Sequence, residues 1–259
     1  MFTLEVLRSE QLSPSFQRVT VTGGDLASFA WRRYDHWFRL FVPGVGQRVL
    51  TLPTVTSGRW YPEWLATPER VRPHVSNYTV RAFRPELGEL DLDVVLHRDP
   101  ISGEVDGRTA RWARSATRGA RLGLLDQGVL FDRPDDASEI HLVAEETGLP
   151  AVENILGALG PSTTGTAILE VPTADDVRPI ACPAAVEVRW VVRAGGQHRS
   201  GVPGSAALAA LRDSPRPGGL AYAFVVGEST LATRGRRHFV RAGVPKDRIT
   251  FLGYWRAAA

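Results

Sequence analysis

The stretch VSNYTVRAFRPELGELDLDVVLH, which runs from Val75 to His97, decides the fold class of the first half of the chain. Two runs rich in β-branched, aromatic and alternating leucine residues flank a short connection that contains Pro85 and Gly88. Proline and glycine there are typical of a hairpin turn, and an apolar residue at every second position is typical of a strand. The stretch therefore predicts two paired β-strands, Asn77–Phe83 and Glu89–His97.

Three side chains of the first predicted strand are able to hold a ligand. Tyr78 can stack on a planar ring, the Thr79 hydroxyl can hydrogen-bond a ring heteroatom, and Arg81 can neutralise a phosphate. Strand alternation places Tyr78 on one face and the other two on the opposite face, so a common ligand requires a bulge, a strand end or a shared edge. Taken alone, these residues fit an ordinary strand better, because tyrosine, threonine and valine favour strands.

Further strand-length segments precede this hairpin and are separated by turn residues: Phe2–Arg8, Phe16–Gly23 and His36–Pro43. Regularly spaced short strands of this kind predict a small antiparallel β-barrel. The segment Thr51–Pro73 is rich in proline, arginine and tryptophan, which predicts a long irregular excursion. Loops of that length in compact domains are often functional.

The polar segment DRPDDASE, Asp132 to Glu139, predicts a linker between a first domain, residues 1–133, and a second domain, residues 134–259. After it, strand-length apolar segments such as IHLVA, GTAILEV and YAFVVG alternate with helical segments such as LPAVENILGAL and SAALAALRD. That alternation predicts an open α/β sheet, which binds ligands at the carboxyl ends of its strands. The glycine-rich dinucleotide motif and the P-loop motif are missing from the sequence.

The composition of the chain argues against several classes of partner and cofactor. The net charge of +3 over 259 residues comes without a basic run, so nucleic acid is not an expected partner. The single cysteine, Cys182, excludes an intramolecular disulfide, a cysteine-based zinc site and a protein-held iron–sulfur cluster. No apolar run approaches the roughly 20 residues that span a bilayer, and the first residues lack a signal-peptide pattern. We expect a cytoplasmic protein, monomeric and without a metal site of its own.

The segment GRTARWARSA, Gly107 to Ala116, predicts a turn followed by a short helix that Thr109 caps. The start of such a helix offers free N–H groups and a positive dipole end, which suit a pyrophosphate. The alternative is a connecting helix with Trp112 packed into the core. His97 closes the preceding strand and is predicted at the same rim, although an isolated histidine there also fits a plain surface position.

Two strand-to-helix turns in the second half lie where an open α/β sheet binds nucleotides. One carries Glu145, and the other carries Glu228. Arg193 and Arg199 are candidates for an adenosine phosphate, with solvated loop arginines as the alternative. The closing pair Tyr254–Trp255 fits a core position, an interface or a cover over a cofactor.

Taken in order, several segments resemble the siderophore-interacting protein family, flavin-dependent ferric-siderophore reductases related to the ferredoxin reductases: LSPSFQRVTVTGGDL, HWFRLFVP, NYTVRAFRPELGELDLDVVLH, RWA, LGLLDQG, VAEETGLPA and GYWR. The resemblance covers almost the whole chain and is most specific at the strand pair around Tyr78 and at the closing GYWR. It implies a six-stranded antiparallel FAD-binding barrel followed by an open α/β domain that binds a nicotinamide cofactor.

The family's flavin motif is Arg-x-Tyr-Thr or Ser, and Tyr78 and Thr79 match its last two positions. The resemblance implies that this pair is catalytic, with a ring-facing tyrosine and a hydroxyl near the reactive nitrogen of the flavin. Ser76 occupies the arginine position, so the charge expected on the flavin phosphate is absent. Further cofactor contacts are implied at Val80, Arg81, His97, Gly107, Arg108, Thr109, Ala110 and Trp112, and, for the nicotinamide, at Glu145, Thr147, Glu228 and Trp255.

The resemblance implies that hydride moves from NADPH or NADH to FAD and that single electrons reach the iron(III) of a ferric siderophore. Arg39, Arg48 and Arg256 are candidates for holding that chelate, with a solvated surface as the alternative. Two other functions stay open. One is a non-catalytic siderophore-binding protein with lost or weakened flavin binding, which Ser76 favours. The other is a flavin reductase that serves a partner redox protein.

Overall fold

The computed structural model describes residues 1–44, 46–47, 49–54, 58–99, 102–193 and 201–257. The chain divides into two compact units, one formed by residues 1–32 and 36–128 and the other by residues 33–35 and 129–259. The main division falls just before the predicted linker. The assignment of residues 1–133 to a flavin domain and of 134–259 to a nicotinamide domain stays a prediction.

The first unit contains an antiparallel sheet with the strand order β4-β3-β7-β1-β2-β6-β5. Its strands are β1 (Phe2–Ser13), β2 (Phe16–Thr22), β3 (Trp37–Val42), β4 (His74–Thr79), β5 (Ala82–Arg84), β6 (Glu89–Val95) and β7 (Arg121–Gly128). A 3-10 helix spans Gly24–Ser28, and two helices, α1 (Trp60–Ala66) and α2 (Arg108–Ser115), accompany the sheet. The predicted antiparallel barrel class is confirmed, and the sheet is barrel-like without being closed.

The sheet has seven strands where six were predicted, because the strand predicted at Asn77–Phe83 is interrupted at Val80. The Val80 N–H donates to the carbonyl of His36 at 2.8 Å, whereas the Arg81 N–H donates to the carbonyl of Asp91 at 2.8 Å. The segment therefore leaves β3 and joins β6 within two residues. β4 and β5 consequently stand at opposite ends of the strand order although they are neighbours in sequence.

The alternation in β6 separates the core from a charged outer face. Leu90, Leu92 and Val94 are fully buried in the hydrophobic core of the first unit. Asp91 and Asp93 point the other way, where Asp91 pairs with Arg84 and Asp93 with Arg18. These ion pairs explain how two carboxylates tolerate burial on the outer face, since a buried charge requires a partner.

The predicted irregular excursion between Thr51 and Pro73 contains helix α1, so that prediction is wrong in part. The helix is positioned by Trp60, whose ring lies edge-on to Phe41 of β3 with centroids 5.7 Å apart. The Trp64 indole N–H donates to the carbonyl of Pro73 at 2.9 Å. These aromatic contacts hold a seven-residue helix that is too short to be stable alone.

The second unit is a parallel five-stranded sheet with the order β10-β9-β8-β11-β12. Its strands are β8 (Glu139–Ala144), β9 (Thr164–Val171), β10 (Val186–Val192), β11 (Tyr222–Glu228) and β12 (Ile249–Trp255), with helices α3 (Leu149–Ala158), α4 (Ser205–Arg212) and α5 (Ser229–Ala242). The predicted open α/β sheet is confirmed. Its order reverses between β8 and β11, which is the position where such sheets bind ligands.

Residues 33–35 interrupt the first unit and pack within the second. Arg33 and Tyr34 have φ values of 60° and 50°, a left-handed backbone that is uncommon for residues other than glycine. The buried Asp35 carboxylate accepts the N–H groups of Leu130 and Phe131 at 3.1 and 2.9 Å. The Tyr34 ring stacks on Phe131 with centroids 5.0 Å apart, so these contacts stabilise the unusual backbone.

Candidate functional site

Strand β4 and the start of helix α2 are joined by side-chain hydroxyls. The Ser76 Oγ lies 2.9 Å from the Thr109 Oγ1, and the Tyr78 hydroxyl also hydrogen-bonds Thr109. Burial raises the pKa of Tyr78 above its ordinary value, while the bond to Thr109 opposes that shift. Tyr78 therefore stays a neutral phenol at physiological pH, and its position beside α2 is defined.

Helix α2 begins after Gly107, whose φ of 87° favours glycine. No described side chain caps its first turn, so the predicted cap by Thr109 is wrong; that hydroxyl contacts Ser76 instead. The first N–H groups of a helix have no carbonyl partner within it, and a Cβ built at Gly107 meets nothing within 4 Å. An open, uncapped helix start of this kind suits a phosphate oxygen.

Arg81 lies beside a buried carboxylate on the outer face of the sheet. Its Nε is 3.8 Å from the Asp93 Oδ2, and its side chain keeps 29% of its exposure. Asp93 is also held by Arg18 through two contacts of 2.7 and 2.9 Å. Arg81 is therefore tethered, and Asp93 does not depend on it for its main partner.

His97 lies differently from the prediction, whereas Trp112 agrees with one of its two predicted alternatives. His97 follows the end of β6 by two residues instead of closing it, because β6 ends at Val95. Its carbonyl accepts the Asp106 N–H at 2.8 Å, which braces the chain leading to Gly107. Trp112 is half-buried against the core of the first unit, as in a connecting helix, and its contact with a cofactor stays a prediction.

A histidine–aspartate pair that was not predicted lies next to the Tyr78–Thr79 strand end, with His36 buried and Asp126 partly exposed. The His36 Nε2 is 2.7 Å from the Asp126 Oδ1, and the Nδ1 accepts the Arg32 N–H at 3.0 Å. The proton therefore lies on Nε2. Because the His36 carbonyl accepts the Val80 N–H, this histidine fixes the backbone that follows Thr79. A single histidine at a strand start carries no recognisable signal for this role.

The three arginines predicted to hold a chelate are not brought together by the described contacts. The Arg39 guanidinium lies 5.5 and 4.7 Å from the ring centroids of Trp37 and Trp60, and it donates to the Asn77 Oδ1 at 3.1 Å. Burial lowers the pKa of Arg39. Arg256 is exposed just after β12, in the second unit. Arg48 lies outside the described residues.

In the second unit, Glu145 follows the carboxyl end of the central strand β8 and is fully buried. Its carboxyl accepts the Thr147 N–H at 2.9 Å and the Trp255 indole N–H at 3.0 Å, and the Thr147 hydroxyl contacts it as well. Burial, reinforced by the neighbouring charge of Glu146, raises the pKa of Glu145 well above its ordinary value. Three of the predicted residues, Glu145, Thr147 and Trp255, thus meet at this edge of the sheet.

Two other predicted residues of the second unit, Glu228 and Arg193, have partners within the fold. The Glu228 carboxylate caps α5 by accepting the Thr230 N–H at 2.5 Å. Arg193, a candidate for an adenosine phosphate, bonds Glu146 at 2.6 Å and Glu170 at 2.5 Å. An added phosphate would compete with these two buried carboxylates. Arg199 lies outside the described residues.

Within the described part of the chain, no helix is long and apolar enough to cross a membrane.

Both units match known protein families. A family profile described as a siderophore-interacting FAD-binding domain matches residues 5–130, and one described as siderophore-interacting protein matches residues 137–258. Ferric vibriobactin reductase ViuB of Vibrio cholerae is 29% identical over 98% of this chain and 88% of its own length. An uncharacterised protein of Mycobacterium tuberculosis is 32% identical over 99% of this chain and 90% of its own length.

Solved structures agree with these matches. The crystal structure of a siderophore utilization protein from T. fusca has a TM-score of 0.82 and 27% identity, covering 100% of this chain and 93% of that chain. Ferredoxin reductases share the fold at identities below 25%, so they support the architecture alone. With family matches in each unit and relatives along its whole length, the chain belongs to the siderophore-interacting protein family.

Proposed function

We propose that this protein is an FAD-dependent reductase of ferric siderophores that uses NADPH or NADH. The observation that carries the proposal is the junction of the Tyr78–Thr79 strand end with the uncapped start of helix α2. An aromatic ring, a hydroxyl and free helix N–H groups are the side-chain and backbone chemistry that a flavin dinucleotide requires. The family matches of both units support the same function.

The residues present fit FAD in two respects and depart from the family motif in one. The open helix start after Gly107 would hold the pyrophosphate through the N–H groups of Arg108, Thr109 and Ala110, and the neutral Tyr78 would face the ring system. The departure is Ser76, which is committed to Thr109 and brings no charge. Arg81 would supply that charge, because its side chain stays partly exposed while Arg18 holds Asp93.

Bound FAD would accept two electrons as hydride and release them singly, which suits iron(III) as the acceptor. The role of the chain is then to bind, orient and exclude water. Thr79 would offer its hydroxyl at the ring, and His36 would fix the backbone beside it. In the second unit, the edge around Glu145, Thr147, Glu228 and Trp255 would receive the nicotinamide cofactor. Arg39 and Arg256 would attract an anionic iron chelate.

An anaerobic absorption experiment tests the proposal. The purified protein, supplied with FAD, is expected to show a flavin spectrum that NADPH or NADH bleaches and that a ferric siderophore restores. Tight chelate binding without a flavin spectrum would instead identify a non-catalytic siderophore-binding protein. Reoxidation by a ferredoxin-type protein but not by any ferric chelate would identify a flavin reductase serving a partner.

A matched pair of variants locates the reaction. Thr79→Val keeps the shape of the side chain but removes its hydroxyl, and we expect flavin bleaching to slow about tenfold. The control is Thr22→Val at the opposite hairpin end of the sheet, where the hydroxyl bonds only the Gly88 carbonyl in the described structure. Equal bleaching rates in both variants would remove Thr79 from the reaction.

A further inference from the structure

The side chain of Glu145 crosses a neighbouring strand to reach Trp255. In the sheet order, β11 lies between β8, which precedes Glu145, and β12, which ends at Trp255. The crossing passes over Gly227, where a Cβ would stand 2.7 Å from the Glu145 Oε1. The Glu145 Oε1 then accepts the Trp255 indole N–H at 3.0 Å. A glycine at position 227 is therefore required for this contact.

The end of β12 is shaped to present the indole to Glu145. The pairing of β11 with β12 shifts its register between Gly227 and Glu228, so that Gly227 pairs with Gly253 and Glu228 with Trp255. A bulge of this kind re-aims the side chains that follow it. The Ser229 hydroxyl donates to the Trp255 carbonyl at 2.8 Å, so both the backbone and the ring of Trp255 are held.

The charged groups around Glu145 leave it without a basic partner among the described residues. On its own turn, Glu146 is committed to Arg193 from the end of β10. From β11, Glu228 is turned toward the start of α5. Arg256, next to Trp255, is exposed. Burial and the charge of Glu146 therefore favour the neutral carboxyl, raising the pKa of Glu145.

We propose that Glu145 is a positioning residue, which fixes the Trp255 indole at the carboxyl edge of the sheet and so sets the affinity for the nicotinamide cofactor. This inference rests on the proposed function, because it places that cofactor at this edge. The indole N–H of the half-buried Trp255 donates to a fully buried carboxyl, and this hydrogen bond restricts the ring to one orientation. A neutral carboxyl does so without adding negative charge where a phosphate-bearing cofactor approaches.

The test compares Glu145→Leu, Glu145→Gln and Trp255→Phe in the flavin-loaded full chain. Leucine fills the space but cannot accept the N–H, glutamine can accept it, and phenylalanine removes the donor. We expect Glu145→Leu and Trp255→Phe to raise the KM for NADPH about three- to tenfold while kcat and flavin absorbance change little. Glu145→Gln is expected to restore the KM to near the wild-type value. Trp190→Phe, a half-buried tryptophan on β10, is the control.

Fluorescence of Trp255, obtained by subtracting the spectrum of each protein's Trp255→Phe derivative, reports the contact directly. The wild-type signal is expected to change as pH rises and Glu145 ionises, while the Glu145→Gln signal does not. Unchanged KM and fluorescence in Glu145→Leu would overturn the inference, as would a loss of kcat at constant KM. If the wild type oxidises no NADPH or NADH with any acceptor, the proposed function fails, whereas the fluorescence comparison still decides whether Glu145 positions Trp255.

Discussion

The Ser76 Oγ lies 2.9 Å from the Thr109 Oγ1, and this bond joins strand β4 to helix α2 at the position where the flavin motif of the family has an arginine. The residue at this position, Ser76, therefore makes a structural hydrogen bond and carries no charge. Because the Tyr78 hydroxyl also bonds Thr109, one threonine connects two residues of the strand to the helix.

Removing either hydroxyl should weaken this junction. Ser76→Ala is expected to lower the free energy of unfolding by about 1 kcal/mol, and Thr109→Ala by more, because it loses both partners. The two effects should not add in the double variant, since they remove the same bond. Chemical denaturation measures this, with Ser115→Ala on the exposed face of α2 as the control. Strict additivity would show that the bond contributes nothing.

Arg81 and Arg18 contact the same aspartate but should differ in function. Arg81→Ala is expected to weaken FAD binding by roughly tenfold or more, because a charge-assisted hydrogen bond to phosphate is lost, with a small change in stability. Arg18→Ala is expected to lower stability and leave FAD affinity in place, since Arg18 supplies the close contacts to Asp93. Flavin titration and thermal unfolding distinguish the two, and unchanged FAD affinity in Arg81→Ala would exclude it as the phosphate partner.

The raised pKa of Glu145 predicts how stability changes with pH. As pH rises above the unfolded carboxyl's pKa of about 4.3, the unfolded chain releases this proton before the folded protein does. The stability contributed by Glu145 is thus fully present below that pH and is lost, by about 1.4 kcal/mol per pH unit, until the folded pKa is passed. Glu145→Gln has no proton to lose, so its advantage over the wild type should grow with pH in unfolding experiments.

Glu146→Gln is the matched control for that pH series. It removes one of the two buried carboxylates that hold the half-buried Arg193, so it should cost about 1.5–3 kcal/mol of stability. At high pH, Glu145→Gln is expected to raise the free energy of unfolding and Glu146→Gln to lower it. This difference would distinguish a neutral buried acid from an ion-paired one. A stabilising Glu146→Gln, or a Glu145→Gln that parallels the wild type at every pH, would contradict the assignment.

Substitution of Arg193 is expected to lower the free energy of unfolding more than substitution of Arg189. Arg193→Met leaves Glu146 and Glu170 buried without their cation, and breaking a buried ion pair costs about 3–5 kcal/mol. Arg189 lies on β10, just before Arg193, and among the described residues its side chain donates to the Ser214 hydroxyl. Arg189→Met removes this hydrogen bond and should cost about 1 kcal/mol. Urea unfolding compares the two variants. Similar losses of stability would show that Arg193 does not stabilise the buried carboxylates of Glu146 and Glu170.

Local patterns were sufficient for the hairpin around Gly88 and for the parallel sheet, since turn residues and alternation act over a few positions. The interruption at Val80 could not be predicted from local patterns. Its cause is a pair of carbonyl acceptors distant in sequence, His36 just before β3 and Asp91 within β6. Helix α1 likewise depends on the packing of Trp60 against Phe41, so the surrounding prolines concealed it.

The candidate site was predictable to a similar depth. The positions of Tyr78, Gly107 and Glu145 followed from motif order, whereas the partners of Thr109, His36 and Trp255 did not. Those partners are selected by side-chain geometry across separate elements, and spacing in the sequence carries no record of it.

The contacts of Tyr34 and Asp35 also limit how this protein can be recombined with its relatives. Asp35 accepts the N–H of Leu130, a residue 95 positions later in the chain. Residues 33–35 therefore complete the second unit, although in sequence they lie between the two segments that form the first unit. A chimera that joined residues 1–128 of a relative to residues 129–259 of this chain would fold well only if the relative supplied an aromatic residue and an acidic residue at the equivalent places. The two units thus cannot be exchanged independently between relatives. We expect the residues at positions 34 and 35 to vary together with those at positions 131 and 130 among members of the family.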